Sequence, residues 1–452
     1  MGARAVHSPA VSPPDVVGSA SERWTGSGQA ESGSGDRPWG AEPSGIEDLS
    51  NDALVRRTFR LDSGRSLFQG VSESFGRTFF LLIALKQFDA PPGAKSLIAG
   101  AGGIGMLLSP MLVSKVIRKR WRVSTVGSVI VGLGGITLML PLVVHDLRVY
   151  VVAAMIALAM ADLVTVLMAP IYAANYPLSR RGQLVGRSIV VRVASAAVVG
   201  AVVGRFLKGD IRRWPYVVAL GCLAWIAQAT FLRKIPSDSL PLVANDRSAI
   251  RRRLHLLKTD SILRNTLLSW MFIGFANLMT IPLRVEYLGN PKYGVSADTA
   301  KVALLTVTIP AIVRLLLTPL FGWIFDRMNF FGLRITINIA FGISIGSFFA
   351  TRSTIGLVAA SIAFGIGIAG GDVLWSLWAT KFAPPDQVAD YMALHTFTTG
   401  MRAVVAPFIG FWLVGNFPAR NVGIVCMLMT VVGSMVIVPD MLRTLQRRVR
   451  PV

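Results

Sequence analysis

Apolar runs of membrane-spanning length constrain this chain more than any other feature. Twelve succeed one another, at approximately 66–88, 95–117, 123–144, 148–176, 183–207, 214–232, 264–285, 300–325, 331–351, 354–381, 388–415 and 421–440. A helix rising 1.5 Å per residue needs about 20 apolar residues to cross the hydrocarbon of a bilayer. Backbone groups that meet no water must bond one another within the segment, so runs of this length fold as helices. The sequence predicts an all-α polytopic membrane protein with twelve transmembrane helices. Composition agrees: 53% of the 452 residues are hydrophobic and only 15% charged, with a mean hydropathy of +0.57, against about 25% charge in an ordinary soluble domain.

The charge that remains is lopsided, with 46 Lys+Arg against 24 Asp+Glu and a net +22. Most of the basic residues lie between the apolar runs. A nucleic-acid binder would gather them on a folded polar face, so no nucleic-acid partner is expected. Cys222 and Cys426 both sit in apolar runs, which excludes a disulfide scaffold and a cysteine metal site. No cofactor is expected. Gly100-Ala-Gly-Gly-Ile-Gly105 has the form of a dinucleotide fingerprint, but it lies inside a span and no acid occurs in Arg120–Thr125. Small residues there serve close helix packing instead, as does Gly200-xxx-Gly204. The chain has no HExxH, Walker or GxSxG sequence.

Between the spans the organisation is readable. Residues 1–45, rich in Gly, Ser, Pro and Ala, have no apolar period and are expected to form a disordered tail. No basic start with a short apolar core opens the chain, so no cleavable signal peptide is expected. Residues 46–65 predict a short interfacial amphipathic helix, with Ser44 and Glu47 spaced as a capping box. The one long connection, 233–263, carries Arg251, Arg252, Arg253 and Lys258 and separates six spans (66–232) from six (264–440). A basic tail, 441–452, ends the chain. Arg56, Arg57, Arg60, Arg118–Arg122, Arg180, Arg181, the connector and Arg443, Arg447, Arg448 all fall on one side. The positive-inside rule makes that side cytoplasmic, with both termini on it, in a plasma or inner membrane. Its basic loops are expected to meet anionic lipid.

The two sets of six look duplicated. Leu107-Leu-Ser-Pro110 matches Leu316-Leu-Thr-Pro319 at an offset of 209, and Arg118 falls on Arg327 at the same offset. Asp162 falls on Asp372, Arg192 on Arg402 and Gly200 on Gly410, each at 210. An even number of spans per unit gives both units the same orientation, a parallel repeat of two pseudo-symmetric six-helix bundles.

With that layout, the chain resembles the major facilitator superfamily of transporters over residues 60–445. Gly322-Trp-Ile-Phe-Asp326-Arg327, followed by Arg334, is similar to the family's signature in the loop after the second span of a half. The matching segment Val113–Arg120 keeps the basic residues and lacks the Gly and the Asp. Tyr176-Pro177 with Arg181-Gly182 resembles the loop between the fourth and fifth spans, and the Gly-Pro pair of the family's antiporters is absent. The resemblance implies a central cavity lined by spans one, four, seven and ten, and a gating loop formed by Gly322, Asp326, Arg327 and Arg334.

Charges inside spans are costly unless paired or hydrated, so their positions point to pathways. They are Glu73 and Arg77, Asp162, Arg192, Arg314, Asp372 and Arg402, with His395 the one deep histidine. Glu73 and Arg77 share a helix face by their i, i+4 spacing. Two pseudo-symmetric ion pairs are expected, Asp162–Arg192 and Asp372–Arg402. They either pin neighbouring helices or act as switchable proton and substrate sites, since protonation can release a carboxylate from an arginine. Four deep arginines favour an anionic solute. The expected function is secondary active transport of a small solute by alternating access, driven by a gradient such as that of protons, by a monomer and without enzymatic activity. The rivals are a polytopic enzyme acting on lipid and a transport-dead membrane sensor.

Overall fold

The computed structural model describes residues 45–239, 246–381, 383–384 and 387–449. The expected N-terminal tail, Gly45 apart, lies outside the described residues, as do the side chains of Arg447 and Arg448.

The described residues form twelve long helices and a connector. The first, α1, runs over Gly45–Ser74, through a π-helical turn at Phe75–Phe79, into Phe80–Lys86. It is followed by α2 (Pro92–Lys119), α3 (Val123–Val143), α4 (Leu147–Asn175), α5 (Leu178–Lys208) and α6 (Trp214–Lys234). After the connector helix Asp246–Thr259 come α7 (Ser261–Gly289), α8 (Thr299–Arg327), α9 (Phe330–Ala350), α10 (Thr354–Leu377), α11 (Val388–Asn416) and α12 (Ala419–Val449). Eleven of the twelve are long and apolar enough to cross a membrane. The exception is α1, whose length is ample but which carries Arg65, Glu73 and Arg77.

The expected separate interfacial helix at 46–65 is a correction: these residues continue into the first span. Thr58, Asp62 and Arg65 are buried against protein. Asp62 accepts from Arg65 Nε at 2.8 Å and from the Tyr172 hydroxyl of α4 at 3.1 Å. A surface helix would have left such groups to water and lipid headgroups. The connector helix likewise docks on protein, with Arg252 and Arg253 at 2.5 and 2.9 Å from the two carboxylate oxygens of Asp390 in α11.

Few acids lie between the helices, and several of them cap helix starts. Asp146, Asp210, Asp260 and Asp298 each accept a backbone N–H of the following turn, satisfying donors that a helix start leaves open. Side chains such as Val143, Ile355 and Met111 face outward and are largely exposed, as a lipid-facing surface requires.

The glycine run of α2 packs as the sequence predicts. A Cβ on Gly105 would lie 2.1 Å from Ala159 O of α4, and one on Gly103 would lie 2.7 Å from Val404 N of α11. On α5, a Cβ at Gly204 would meet Ala303 of α8 at 2.5 Å. Helices α2 and α5 of the first half thus touch α11 and α8 of the second at backbone distance.

These contacts between halves are unevenly distributed along the membrane normal. Let the near face be the one where α1 begins and α12 ends, and the far face its opposite. Toward the far face Lys95 of α2 meets Glu286 of α7 at 2.7 Å, with both side chains buried. Lys86 donates to Ala297 O at 2.7 Å, Thr299 to Gly204 O at 2.9 Å, and Lys208 lies 3.3 Å from Asp298. Deeper, the π-turn of α1 meets a second π-turn at Leu304–Thr308 in α8, through a 2.8 Å bond between Thr78 and Thr306. A π-turn adds a residue to the helix and re-aims the side chains beyond it; such turns recur at functional sites. Among the described residues, no hydrogen bond or ion pair joins the halves on the near side of Glu73.

Candidate functional site

Glu73 lies one residue before Ser74, the last residue of α1 ahead of its π-turn, and 13 residues before Lys86, about 20 Å from the far end of that helix. Three arginines converge on it. Arg77, one turn on, places Nη2 at 3.1 Å from Oε1. Arg192 of α5 places Nε at 3.3 Å from Oε2. Arg314 of α8, in the other half, donates from Nη1 to Oε1 at 2.8 Å. Arg314 then donates from Nε to Asp372 of α10 at 2.5 Å. The chain Asp372–Arg314–Glu73 therefore crosses from one half to the other, and Arg192 and Arg77 anchor its end in the first. A narrow pocket lined by Glu73, Arg77, Val193, Ala196, Pro310 and Arg314 adjoins it.

The two expected ion pairs are corrected by this arrangement. Arg192 pairs with Glu73 and not Asp162, and Asp372 pairs with Arg314 and not Arg402. Among the described residues, Asp162 has no cation within 4 Å; its Oδ2 occupies the space a Cβ on Gly102 would fill, 2.0 Å from that position. It remains within electrostatic reach of Glu73, Arg77 and Arg192. The reason lies in the path of α1: it brings a carboxylate to mid-depth that has no acidic counterpart in the repeat, and this acid takes both Arg192 and Arg314.

His395 and Arg402 belong to a separate cluster inside the second half. Arg402 donates to Trp270 O at 2.9 Å and to Thr399 Oγ1 at 2.8 Å. The His395 ring stands edge-on to Trp270, 4.0 Å between centroids. Of the expected gating loop, Gly322, Asp326 and Arg327 face away from the neighbouring helices: nothing lies within 4 Å of a Cβ on Gly322, Asp326 is exposed, and Arg327 folds back over Trp323. Arg334 departs from them and stacks, buried, over Trp270 with its guanidinium carbon 4.4 Å from the ring centroid.

Residue-by-residue reading of spans missed Lys95, Glu286 and Arg284. Lys95 and Glu286 stand at span ends, where a lone charge ordinarily reaches water, and only their opposite signs on facing helices could have paired them. Arg284 is held between Phe348 and Phe364, 5.0 and 3.6 Å from the ring centroids, with Ser344 Oγ at 2.9 Å. A larger opening on the far face, about 420 Å³, lies between Tyr287, Lys292, Arg352 and Arg420 and holds none of the expected site residues.

Known proteins share both the sequence pattern and the fold. A model of the Major Facilitator Superfamily matches residues 67–350. No curated protein matches the chain. Among solved structures, the nucleoside transporter NupG superposes with a TM-score of 0.66 at 15% identity, covering 84% of this chain and 97% of its own. The xylose transporter XylE from E. coli, in a partially occluded inward-open conformation, gives 0.64 at 16% identity over 85% of this chain and 97% of its own. A POT family transporter in complex with 5-aminolevulinic acid gives 0.65 at 13% identity over 84% of this chain and 95% of its own. At these identities the likeness is one of fold.

Proposed function

The chain belongs to the Major Facilitator Superfamily, and we propose that it is a secondary active transporter that moves a small anionic solute by alternating access. The observation that carries this is the charge chain Asp372–Arg314–Glu73, which ties the two halves at mid-depth. It sits where the closed far side gives way to a near side without cross-half bonds among the described residues. A rocking motion that opens the far side must break Lys95–Glu286 and the bonds of Lys86 and Thr299. The central chain is the pivot on which such a motion turns, and a solute bound beside it would bias the two states by its differential affinity for them.

Proton coupling is assigned here to Asp162. Glu73 and Asp372 are held by arginines, whereas Asp162 has no cation within ion-pair distance among the described residues. A carboxylate without a fixed cation is the one that can take and release a proton at low cost, and its charge is felt by Glu73, Arg77 and Arg192. In this reading the near face is cytoplasmic, both termini lie there, and the state is cytoplasm-facing. The membrane is a plasma or inner membrane, the basic near-face loops rest on anionic lipid, and a monomer suffices. Glu73, Arg77, Asp162, Arg192, Arg314 and Asp372 form the path, while Asp326 and Arg327 await the opposite state to make their contacts.

The deciding experiment is uptake into proteoliposomes, screened over small carboxylates, phosphates, sugars and nucleosides with and without a pH gradient. Gradient-dependent uptake that disappears in Asp162→Asn is the expected result. Absence of uptake for every solute, with a folded protein, returns the lipid-enzyme and sensor rivals to the front.

A further inference from the structure

We infer a binding subsite for a small oxyanion inside the second half, built by Arg334, His395 and Arg402 around Trp270. All four side chains are buried, with relative exposures of 6, 0, 4 and 3%. The arginine Nε atoms, both His395 ring nitrogens and the Trp270 indole nitrogen are buried and have no hydrogen-bond partner in the protein. Nearly all buried polar groups in folded proteins are hydrogen-bonded, so five such atoms around one ring are unusual. The two Nε atoms and the indole nitrogen are N–H donors, and a neutral His395 ring adds a fourth. Among the described residues, no carboxylate lies within ion-pair distance of Arg334 or Arg402.

Most of the protein's other deep cations have an acid partner. Arg65 has Asp62, Arg314 has Glu73 and Asp372, and Lys95 has Glu286. Arg284 has none among the described residues and leaves Nε and Nη1 without a hydrogen-bond partner, but it stands singly, sandwiched between two rings. Among the described residues, it is around Trp270 that two guanidiniums converge with donors to spare and no negative charge. Water satisfies donors but brings no charge to offset two cations out of bulk solvent. A carboxylate or phosphate does both, and its paired oxygens suit the guanidinium fork. Cations are repelled, and a sugar hydroxyl leaves the charge uncompensated.

Helix α10 runs between the subsite and the central chain. Trp375, whose ring is 5.3 Å from His395, sits three residues after Asp372 on α10, and residues so spaced are neighbours on a helix surface. An anion here therefore lies beside the helix that carries Asp372 to Arg314. This rests on the transport reading in one respect only, that the bound oxyanion is part of the transported solute.

The test uses the purified full-length protein in lipid nanodiscs, with inorganic phosphate and succinate as probes. Chloride at matched ionic strength and D-glucose serve as controls. Thermal midpoint and tryptophan fluorescence are read against probe concentration. At least one oxyanion should raise the midpoint while both controls do not. Arg334→Met and Arg402→Met should each raise the midpoint without probe, because an uncompensated buried charge is removed. Each should also need at least tenfold more probe for half the effect. Arg402→Lys, which keeps the charge and loses the fork, should fall between. If a methionine variant does not fold, Arg402→Lys and His395→Gln carry the same comparison. No response to either oxyanion, a response equalled by chloride, or one unchanged in these variants overturns the subsite. Oxyanion binding without uptake in proteoliposomes overturns the transport reading and leaves the subsite. Uptake of neutral solutes alone, unaltered in Arg402→Lys, keeps alternating-access transport but overturns both the anionic solute and the subsite's part in carrying it.

Discussion

The fourth and fifth helices of the first half and the corresponding pair of the second carry the same charges at the same repeat positions, yet use them in opposite ways. In the first half Arg192 joins the central chain and Asp162 stays outside it. In the second Asp372 joins and Arg402 stays outside. Each half thus contributes one member of the repeated pair to the contact between halves and keeps the other in reserve. Duplication preserves where a side chain sits along its helix, while partners are decided by the unrepeated charges that other helices bring. Glu73 on α1 and Arg314 on α8 are those additions, and neither has a charged twin of its own kind at the matching position.

The hardest blow to this picture is to remove the residue that makes the two halves different. Glu73→Gln strands Arg77 and Arg192 beside a neutral amide and leaves Arg314 with Asp372 alone. Breaking a buried ion pair by deleting one partner costs about 3–5 kcal/mol, and here three cations lose one acid. The variant should lose uptake and several kcal/mol of stability, read by denaturant or thermal unfolding in nanodiscs. Unchanged stability would mean that the arginines find other acids and that the repeat pairs, not Glu73, hold the centre.

Next in size is the far-side lock. Lys95 and Glu286 are both buried, and Asn290 donates to the second Glu286 oxygen at 2.7 Å. Lys95→Met should favour the far-open state by about 3 kcal/mol, on the order of 100-fold in the equilibrium between states. Spin-label distances across the far mouth measure it. Combining it with Glu286→Leu should restore closure, since two apolar side chains pack where two charges paired. If the single variant leaves the distances unchanged, the closed side is held by the helix packing at Gly103 and Gly204 and by the bonds of Lys86 and Thr299, without need of the buried pair.

Much of this architecture is legible in the sequence, and the part that is not has a physical cause. Span length, the break at 233–263 and the role of the glycine run are local properties set by hydropathy and by the size of a side chain, so they survive translation into three dimensions. The charged span α1 is legible for the same reason, although its Glu73 and Arg77 make it less apolar than the other eleven. Which arginine meets which acid is a property of helix rotation across the interface between halves. A depth estimate from span ends cannot supply it, because Glu73, Arg192 and Asp162 lie at comparable depths. Arg334 shows the same limit, since a loop signature predicts its place near a helix end but not its burial over Trp270.

A smaller pair of effects sharpens the comparison between the twin acids. Asp372→Asn removes a charge-assisted bond to Arg314, worth about 2 kcal/mol, and should weaken both stability and uptake. Asp162→Asn removes no ion pair, so its stability should stay within about 0.5 kcal/mol of the parent, while the response of uptake to a pH gradient disappears. Equal losses of stability in the two variants would show that Asp162 is held as firmly as its twin and would remove it as the proton carrier.

The smallest effect is expected at Asp298, where the far face meets water. Its Oδ2 lies 3.3 Å from Lys208 Nζ, with side chains 41 and 57% exposed. Burial pushes its carboxyl up, but the Lys301 backbone N–H and the Lys208 ammonium outweigh that and hold it below the usual carboxylate range. A depressed value means the interaction stabilises the fold above the unfolded carboxylate's pKa of about 3.9 and fades as pH falls through the lowered value. No change is therefore expected between pH values of about 5 and about 8. Asp298→Asn keeps the cap on the Lys301 N–H, since Asn caps as well as Asp, and loses only a screened attraction worth about 0–1 kcal/mol. Parent and variant should differ by no more than that at neutral pH in low salt and converge in high salt or acid, with uptake unaffected. A loss as large as that of Lys95→Met would move the lock from the buried pair to the surface. It would also make far-side closure sensitive to ionic strength, which a pair as buried as Lys95–Glu286 is not.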